Sequence, residues 1–134
     1  MSDRPPLTEL QIAILSVLWD RGEATSAEVR SALEPGRCLA LTTVTTLLGR
    51  LERKEVVAHE REGRRYLYRA TVTRDSVQRE MVSDLTDVLF DGDPARLVGH
   101  VLETGDLGTE GIERLRLLLD EHRERSLDGE GRRA

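Results

Sequence analysis

Residues 42–53 read Thr-Thr-Val-Thr-Thr-Leu-Leu-Gly-Arg-Leu-Glu-Arg. Val44, Leu47, Leu48 and Leu51 recur at the i, i+3, i+4, i+7 spacing of one apolar helix face. The other face carries Thr42, Thr46, Gly49 and Arg53, flanked by Thr43, Thr45 and Arg50, and no acid precedes Glu52. A helix selected only for solubility would mix charges of both signs and prefer Glu, Lys and Gln to threonine, which costs helix propensity. Short hydroxyls flanked by guanidinium groups suit a helix lying in a DNA major groove. Threonine can bond either base edge or touch a thymine methyl, and arginine reaches guanine or phosphate.

The segments on either side fit that reading. Thr8 to Asp20 is expected as a first helix, with Thr8 and Gln11 at capping-box spacing, Leu7 and Ile12 as a hydrophobic staple, and Gly22 as its stop. Leu10, Ile14, Val17 and Leu18 would face the core, with Trp19 covering one end. Thr25 to Leu33 predicts a second, shorter helix with the same Thr/Glu box spacing, broken by Pro35-Gly36. After the threonine-rich helix the period changes to that of strands. Residues 56–61 and 65–69 alternate, joined through a Glu62-Gly63-Arg64 turn, with Tyr66 and Tyr68 on one face and Arg65, Leu67 and Arg69 on the other. A short helix, a turn, a polar-faced helix and a basic hairpin make a winged helix–turn–helix.

Helical periodicity returns at Thr73. Val77, Met81, Leu85, Val88 and Leu89 trace one face up to Asp91-Gly92. Asp93 then caps a fifth helix with Pro94 at its first position. Gly105 and Gly108 precede a sixth, leucine-rich helix ending near Arg123. The fold class is therefore mainly α with a small β-hairpin. A DNA-binding domain is expected over residues 7–72, a helical dimerisation lobe over 73–125 and a flexible tail over 126–134. Leu85, Leu89, Leu97, Val101, Ile112, Leu115, Leu118 and Leu119 are the candidate dimerisation residues, because three short amphipathic helices close little core alone.

Composition sets the bounds. The 134 residues carry a net charge of -5, which by itself argues against a polyanionic partner, but its distribution reverses that argument. Residues 37–74 hold nine basic and four acidic residues, while residues 1–36 are net -3 and residues 75–134 net -7. A basic middle between acidic flanks binds a polyanion locally and leaves the remainder soluble. No apolar run approaches the ~20 residues of a membrane span, so no membrane insertion is expected. Cys38 is the sole cysteine, which excludes an internal disulfide and fits a cytoplasmic location. No nucleophile–base pattern, phosphate-cradling loop or metal-ligand cluster stands out, so the expectation is no enzyme, no cofactor and no metal.

With these elements placed, the chain resembles the BlaI/MecI/CopY family of bacterial repressors over roughly residues 7–123. Three stretches carry the resemblance: Leu41-Thr42-Thr43-Val44-Thr45-Thr46-Leu47-Leu48-Gly49-Arg50-Leu51 with Lys54; Glu60-Arg61-Glu62-Gly63-Arg64-Arg65-Tyr66-Leu67-Tyr68-Arg69; and Leu89-Phe90-Asp91-Gly92-Asp93 with Leu97-Val98, Asp106-Leu107 and Leu115-Arg116-Leu117-Leu118. The resemblance implies repression at palindromic operators by a homodimer. It matches Thr43, Thr46 and Arg50 to recognition-helix positions and Arg64 and Arg65 to the wing. It also brings in a membrane sensor metalloprotease as a partner for induction. The chain departs from the family's pattern at several places. Glu55 stands where a glycine usually ends the recognition helix, Leu41 replaces an aromatic or proline, and Gly108 and Gly111 replace a polar cap and an acid. The paired C-terminal cysteines of the copper-responsive branch are missing, as is the Asn-Phe cleavage bond of the penicillinase branch, near whose place His100-Val101 falls.

The expected DNA-binding set is Arg37, Thr42, Thr43, Thr45, Thr46, Arg50, Arg53, Arg61, Arg64 and Arg65. Thr42, Thr43, Thr46 and Arg50 approach base edges, and the other arginines mainly hold phosphates. Two other classes stay open: a winged-helix protein-interaction module without DNA binding, and a ligand- or metal-sensing regulator using the region of His100 and Glu103.

Overall fold

In the computed structural model residues 6–133 are described, with side chains as far as Leu127. The elements run α1 (Glu9–Arg21), α2 (Ser26–Leu33), α3 (Leu41–Arg53), β1 (Val57–Glu62), β2 (Arg65–Ala70), α4 (Arg74–Leu89), α5 (Pro94–Thr104) and α6 (Gly108–Arg133). They fall into two units, one reaching to Leu85 and the other beginning at Thr86.

Local chemistry starts the first two helices as expected. The Thr8 hydroxyl accepts the Gln11 N–H at 3.1 Å, and Gln11 Oε1 accepts the Thr8 N–H at 3.0 Å. Thr25 and Glu28 repeat this box at 3.2 and 3.1 Å. Gly22, at φ 87°, ends α1 and donates its N–H to the Leu18 carbonyl. The inner face of α1 differs from the expected one. Gln11, Ile14, Leu15 and Leu18 are buried, while Leu10 and Val17 are only half-buried. A buried glutamine is tolerated because its oxygen accepts from both the Thr8 N–H and Lys54 Nζ, the latter at 3.0 Å.

The core of the first unit is Ile14, Leu15, Leu18, Ala24, Val29, Val44, Leu48, Leu51, Val56, Val57 and Tyr68. α1, α2 and α3 each contribute one face, and the base of the hairpin closes the cluster. β1 and β2 pair antiparallel from Val57↔Ala70 to Glu62↔Arg65. The turn is therefore the two residues Gly63-Arg64, with Gly63 at φ 63°, and Glu62 belongs to the strand rather than to the loop. Ala24 adds a one-residue third strand: its N–H donates to the Tyr68 carbonyl at 2.9 Å and its carbonyl accepts the Tyr68 N–H at 2.8 Å. A single bridging residue has no period to betray it in sequence.

The corner between α3 and the hairpin is a Schellman closure. The Val56 N–H donates to the Leu51 carbonyl at 3.1 Å and the Glu55 N–H to the Glu52 carbonyl at 3.0 Å. This places Glu55 at φ 64°, in the left-handed region. The glutamate adopts a backbone that favours glycine and carries the strain of a β-carbon.

The first unit extends past the expected boundary at residue 72. The Trp19 indole N–H donates to the Val72 carbonyl at 2.8 Å, Arg74 lies over the Trp19 ring at 5.3 Å, and Arg74 pairs with Asp20 at 3.0 Å. These contacts fasten the start of α4 to α1, and Val77 is buried. In the second unit Asp93 caps α5 by accepting the Ala95 N–H, with Pro94 at the first helical position, and Gly105 ends it at φ 77°. α6 runs to Arg133 where the sequence predicts an end near Arg123 and a loose tail. Glu121 and Arg125 pair one turn apart beyond the expected end, and no proline interrupts the later turns. Among the described residues of the second unit no apolar side chain is buried.

Candidate nucleic-acid interface

α3 has two faces. Val44, Leu48 and Leu51 are fully buried and Leu47 is half-buried, whereas Thr42, Thr43, Thr45, Thr46, Arg50 and Arg53 are exposed or half-exposed on the outer side. At 3.6 residues per turn, Thr42, Thr43, Thr46, Arg50 and Arg53 occupy one arc roughly 100° wide. Thr45 lies on the far flank, and its hydroxyl donates to the Leu41 carbonyl at 3.0 Å. Its donor is thus committed to the helix backbone, and only its methyl group and lone pairs face outward. Gly49 lies between Thr42 and Thr45 around the helix, and a β-carbon built there would meet nothing within 4 Å. Packing within the protein does not demand this glycine.

The arginines divide by their partners. Acidic residues outnumber basic ones by 25 to 20, yet Arg50, Arg53, Arg61 and Arg64 make no ion pair among the described residues. Arg61 donates through Nε to the Gly63 carbonyl at 3.1 Å, which holds it beside the hairpin tip. Arg65 pairs with Glu62 at 3.2 Å, and Arg37 is half-buried and bonded to Glu9. Arg50 and Arg53 on the α3 arc and Arg61 and Arg64 on the wing are therefore uncompensated among the described residues, whereas Arg37 and Arg65 sit in ion pairs.

Strand alternation explains the split. Cross-strand partners share a face, so His59, Arg61, Tyr66 and Tyr68 lie on one side and Glu60, Glu62, Arg65, Leu67 and Arg69 on the other. The first side turns toward α3, because the His59 imidazole Nδ1 bonds the Glu52 carboxylate. The second side holds compensated charge, Glu62–Arg65 and Glu60–Arg69. Sequence reasoning missed the Glu52–His59 link between recognition helix and wing. Its only trace in the chain was the alternation that puts His59 opposite Tyr68. Lys54, which follows α3, donates its ammonium to Gln11 Oε1 and to the Pro6 carbonyl at 3.4 Å.

In the second unit the expected dimerisation residues are solvent-facing within one chain: Val101 is 40% exposed, Ile112 45%, Leu118 55%, Leu119 57% and Leu89 64%. Leu97 and Leu115 are half-buried. Leu85, the last residue of the first unit, is exposed as well. The His100 ring packs against Phe90 with centroids 5.8 Å apart. Among the described residues no group of three or more His, Cys, Asp or Glu could hold a metal, and no helix is long and apolar enough to cross a membrane.

Three helices closed by a two-stranded wing, with a hydroxyl- and arginine-bearing third helix, define a winged-helix protein of the nucleic-acid-binding type. A family model described as penicillinase repressor matches residues 7–121. The chain is 34% identical over 117 residues to the transcriptional regulator BlaI of Mycobacterium tuberculosis, covering 86% of this chain and 83% of that protein. It is 24% identical over 125 residues to the penicillinase repressor of Bacillus licheniformis, covering 93% and 98%. A crystal structure of a mutant MarR from E. coli shares the fold alone, with TM-score 0.53, 19% identity, and coverage of 86% of this chain and 76% of that one. The chain belongs to the penicillinase repressor family, as the three stretches imply, and its function is regulatory rather than enzymatic.

Proposed function

We propose that this protein is a cytoplasmic transcriptional repressor that binds two-fold operators as a homodimer. The observation that carries the DNA contact is the arc of α3: Thr42, Thr43, Thr46, Arg50 and Arg53, outward-facing and free of acidic partners among the described residues in a chain that has acid to spare. Thr42, Thr43, Thr46 and Arg50 read base edges. Arg53, Arg61 and Arg64 hold phosphates and set the register, since phosphate contacts position and base contacts specify. Arg37 and Arg65 contribute after exchanging a carboxylate partner for a phosphate. Occlusion of a promoter by the bound dimer is the repressive act.

Dimerisation is supported by the second unit, which buries no apolar side chain of its own among the described residues. A lobe without a core is stabilised by pairing with a copy of itself, and that makes its stability depend on concentration. Two recognition helices then meet two half-sites about one helical turn apart. Induction by a membrane sensor metalloprotease completes the proposal. α5 has no buried residue, so it opens locally at low cost and exposes the His100-Val101 region to cleavage. Cutting there severs α6 from the rest of the lobe and dissolves the dimer.

Selection of duplexes from a random-sequence pool, followed by salt titration, tests the reading. A two-fold motif and a log–log salt slope of about -0.9 per neutralised phosphate are expected. Binding without any enriched motif would refute operator recognition, and no binding at low salt would favour the protein-interaction module.

A further inference from the structure

The wing carries an aromatic residue that the core does not use. Tyr68 is buried at the base of the hairpin, but Tyr66, two residues nearer the tip, keeps 47% of its surface exposed. Both rings lie on the face that turns toward α3. His59 stands between them, 4.6 Å from the Tyr66 centroid and 5.5 Å from that of Tyr68. The imidazole is fixed in turn by the Glu52 carboxylate on the recognition helix. Tyr66 is thus not a loose surface side chain. Its ring is seated on a support that is anchored to α3, and its hydroxyl has no hydrogen-bond partner among the described residues.

Its surroundings have the chemistry of a polyanion contact. Its cross-strand partner is Arg61, whose Nε is used by Gly63 while its two Nη groups bond nothing among the described residues. Arg64 stands at the turn without an ion pair among the described residues. The opposite face of the same hairpin has its charges matched, so only the Tyr66 face presents an excess of donors. A tyrosine hydroxyl is among the groups that bond phosphate and sugar oxygens in such interfaces.

We infer that Tyr66 contacts the DNA backbone, donating its hydroxyl to a phosphate beside those held by Arg61 and Arg64, and that His59 is the positioning residue that aims it. This inference rests on the DNA-binding reading and adds a wing contact outside the arginine set.

The test is fluorescence anisotropy on a labelled duplex that the wild-type chain has selected from a random pool, with salt titrations and melting curves for each variant. Tyr66→Phe removes one oxygen from an exposed site and leaves the ring on His59, so its melting temperature should match the wild type. Its affinity should fall about ten- to a hundredfold, the scale of one hydrogen bond to a charged group. The salt slope should stay constant, because no charge is lost, whereas Arg64→Ala should lower it by about 0.9. His59→Gln keeps a donor toward Glu52 but removes the ring packed against Tyr66, and should weaken binding by a similar factor. Combined with Tyr66→Phe it should add nothing, since both act through one contact. Wild-type affinity in Tyr66→Phe overturns the contact, and additive losses overturn the positioning role of His59. Failure of the wild-type chain to bind any duplex would instead remove the DNA-binding reading itself.

Discussion

Glu55→Gly is expected to stabilise the first unit. Glu55 sits at φ 64°, held there by the Schellman bonds of Glu55 and Val56 and by the next strand. The Thr71 hydroxyl donates to the Glu55 carbonyl at 2.9 Å, and the Thr71 N–H donates to the Val56 carbonyl at 2.9 Å. Leu51 and Val56, which flank the closure, are both buried, so the corner does not relax to relieve the residue between them. A β-carbon in this conformation costs roughly 1–2 kcal/mol. Glycine relieves that cost but gives the unfolded chain more freedom, which takes back about 0.4–1 kcal/mol. The net gain is about 1 kcal/mol, or roughly 4–8 °C in Tm for a unit of this size. Thermal melting followed by circular dichroism reads it directly. Glu55→Ala is the control, since it removes the same carboxylate and keeps the β-carbon, and it should give no gain. An equal rise in both variants would show that charge repulsion, not backbone strain, was the cost. No rise in Glu55→Gly would show that the corner is not rigid.

Four other outcomes can be checked. Arg50→Ala should lose about 1–3 kcal/mol of operator binding and relax specificity at one position in each half-site, while an equal loss on every sequence would make Arg50 a phosphate contact. Gly49→Ala should raise stability by roughly 0.5–1 kcal/mol yet weaken DNA binding, because the protein leaves space for the methyl group and close approach of the duplex does not; unchanged affinity would show that the face needs no glycine. Leu118→Glu should shift the chain toward monomer in sedimentation, and operator affinity should fall with it. Burial pushes the Tyr68 hydroxyl above its ordinary value of 10.0, with Glu52 and Tyr66 adding to the shift. The unfolded chain therefore ionises first, stability present below that value is lost as pH rises toward the folded one, and Tyr68→Phe should flatten this alkaline loss in melting curves.

Much of this protein was legible in its sequence because the signals were local. Capping boxes at Thr8 and Thr25, the Pro94 start, and the 3.6-residue period of Val44, Leu48 and Leu51 depend on neighbours within a turn or two. The hairpin announced itself by alternation and by Gly63. The outward arc of α3 followed from the same period that defined its inward face. These features determined the winged-helix class and most of the residues assigned to DNA.

Only the tertiary structure decided the rest, since long-range partners set those outcomes. Which arginines are free depends on whether a carboxylate distant in sequence comes within reach, as Glu9 does for Arg37. Gln11 took a core position because Lys54, far along the chain, supplies a donor. The first unit took in most of α4 because Trp19 finds the Val72 carbonyl and Arg74 finds Asp20. The Glu52–His59–Tyr66 arrangement joins a helix to both strands of the wing, and no spacing along one segment encodes it. Period and capping are written within a few residues of each other; ion pairing, burial of polar groups and the aim of the wing exist only once separate segments meet.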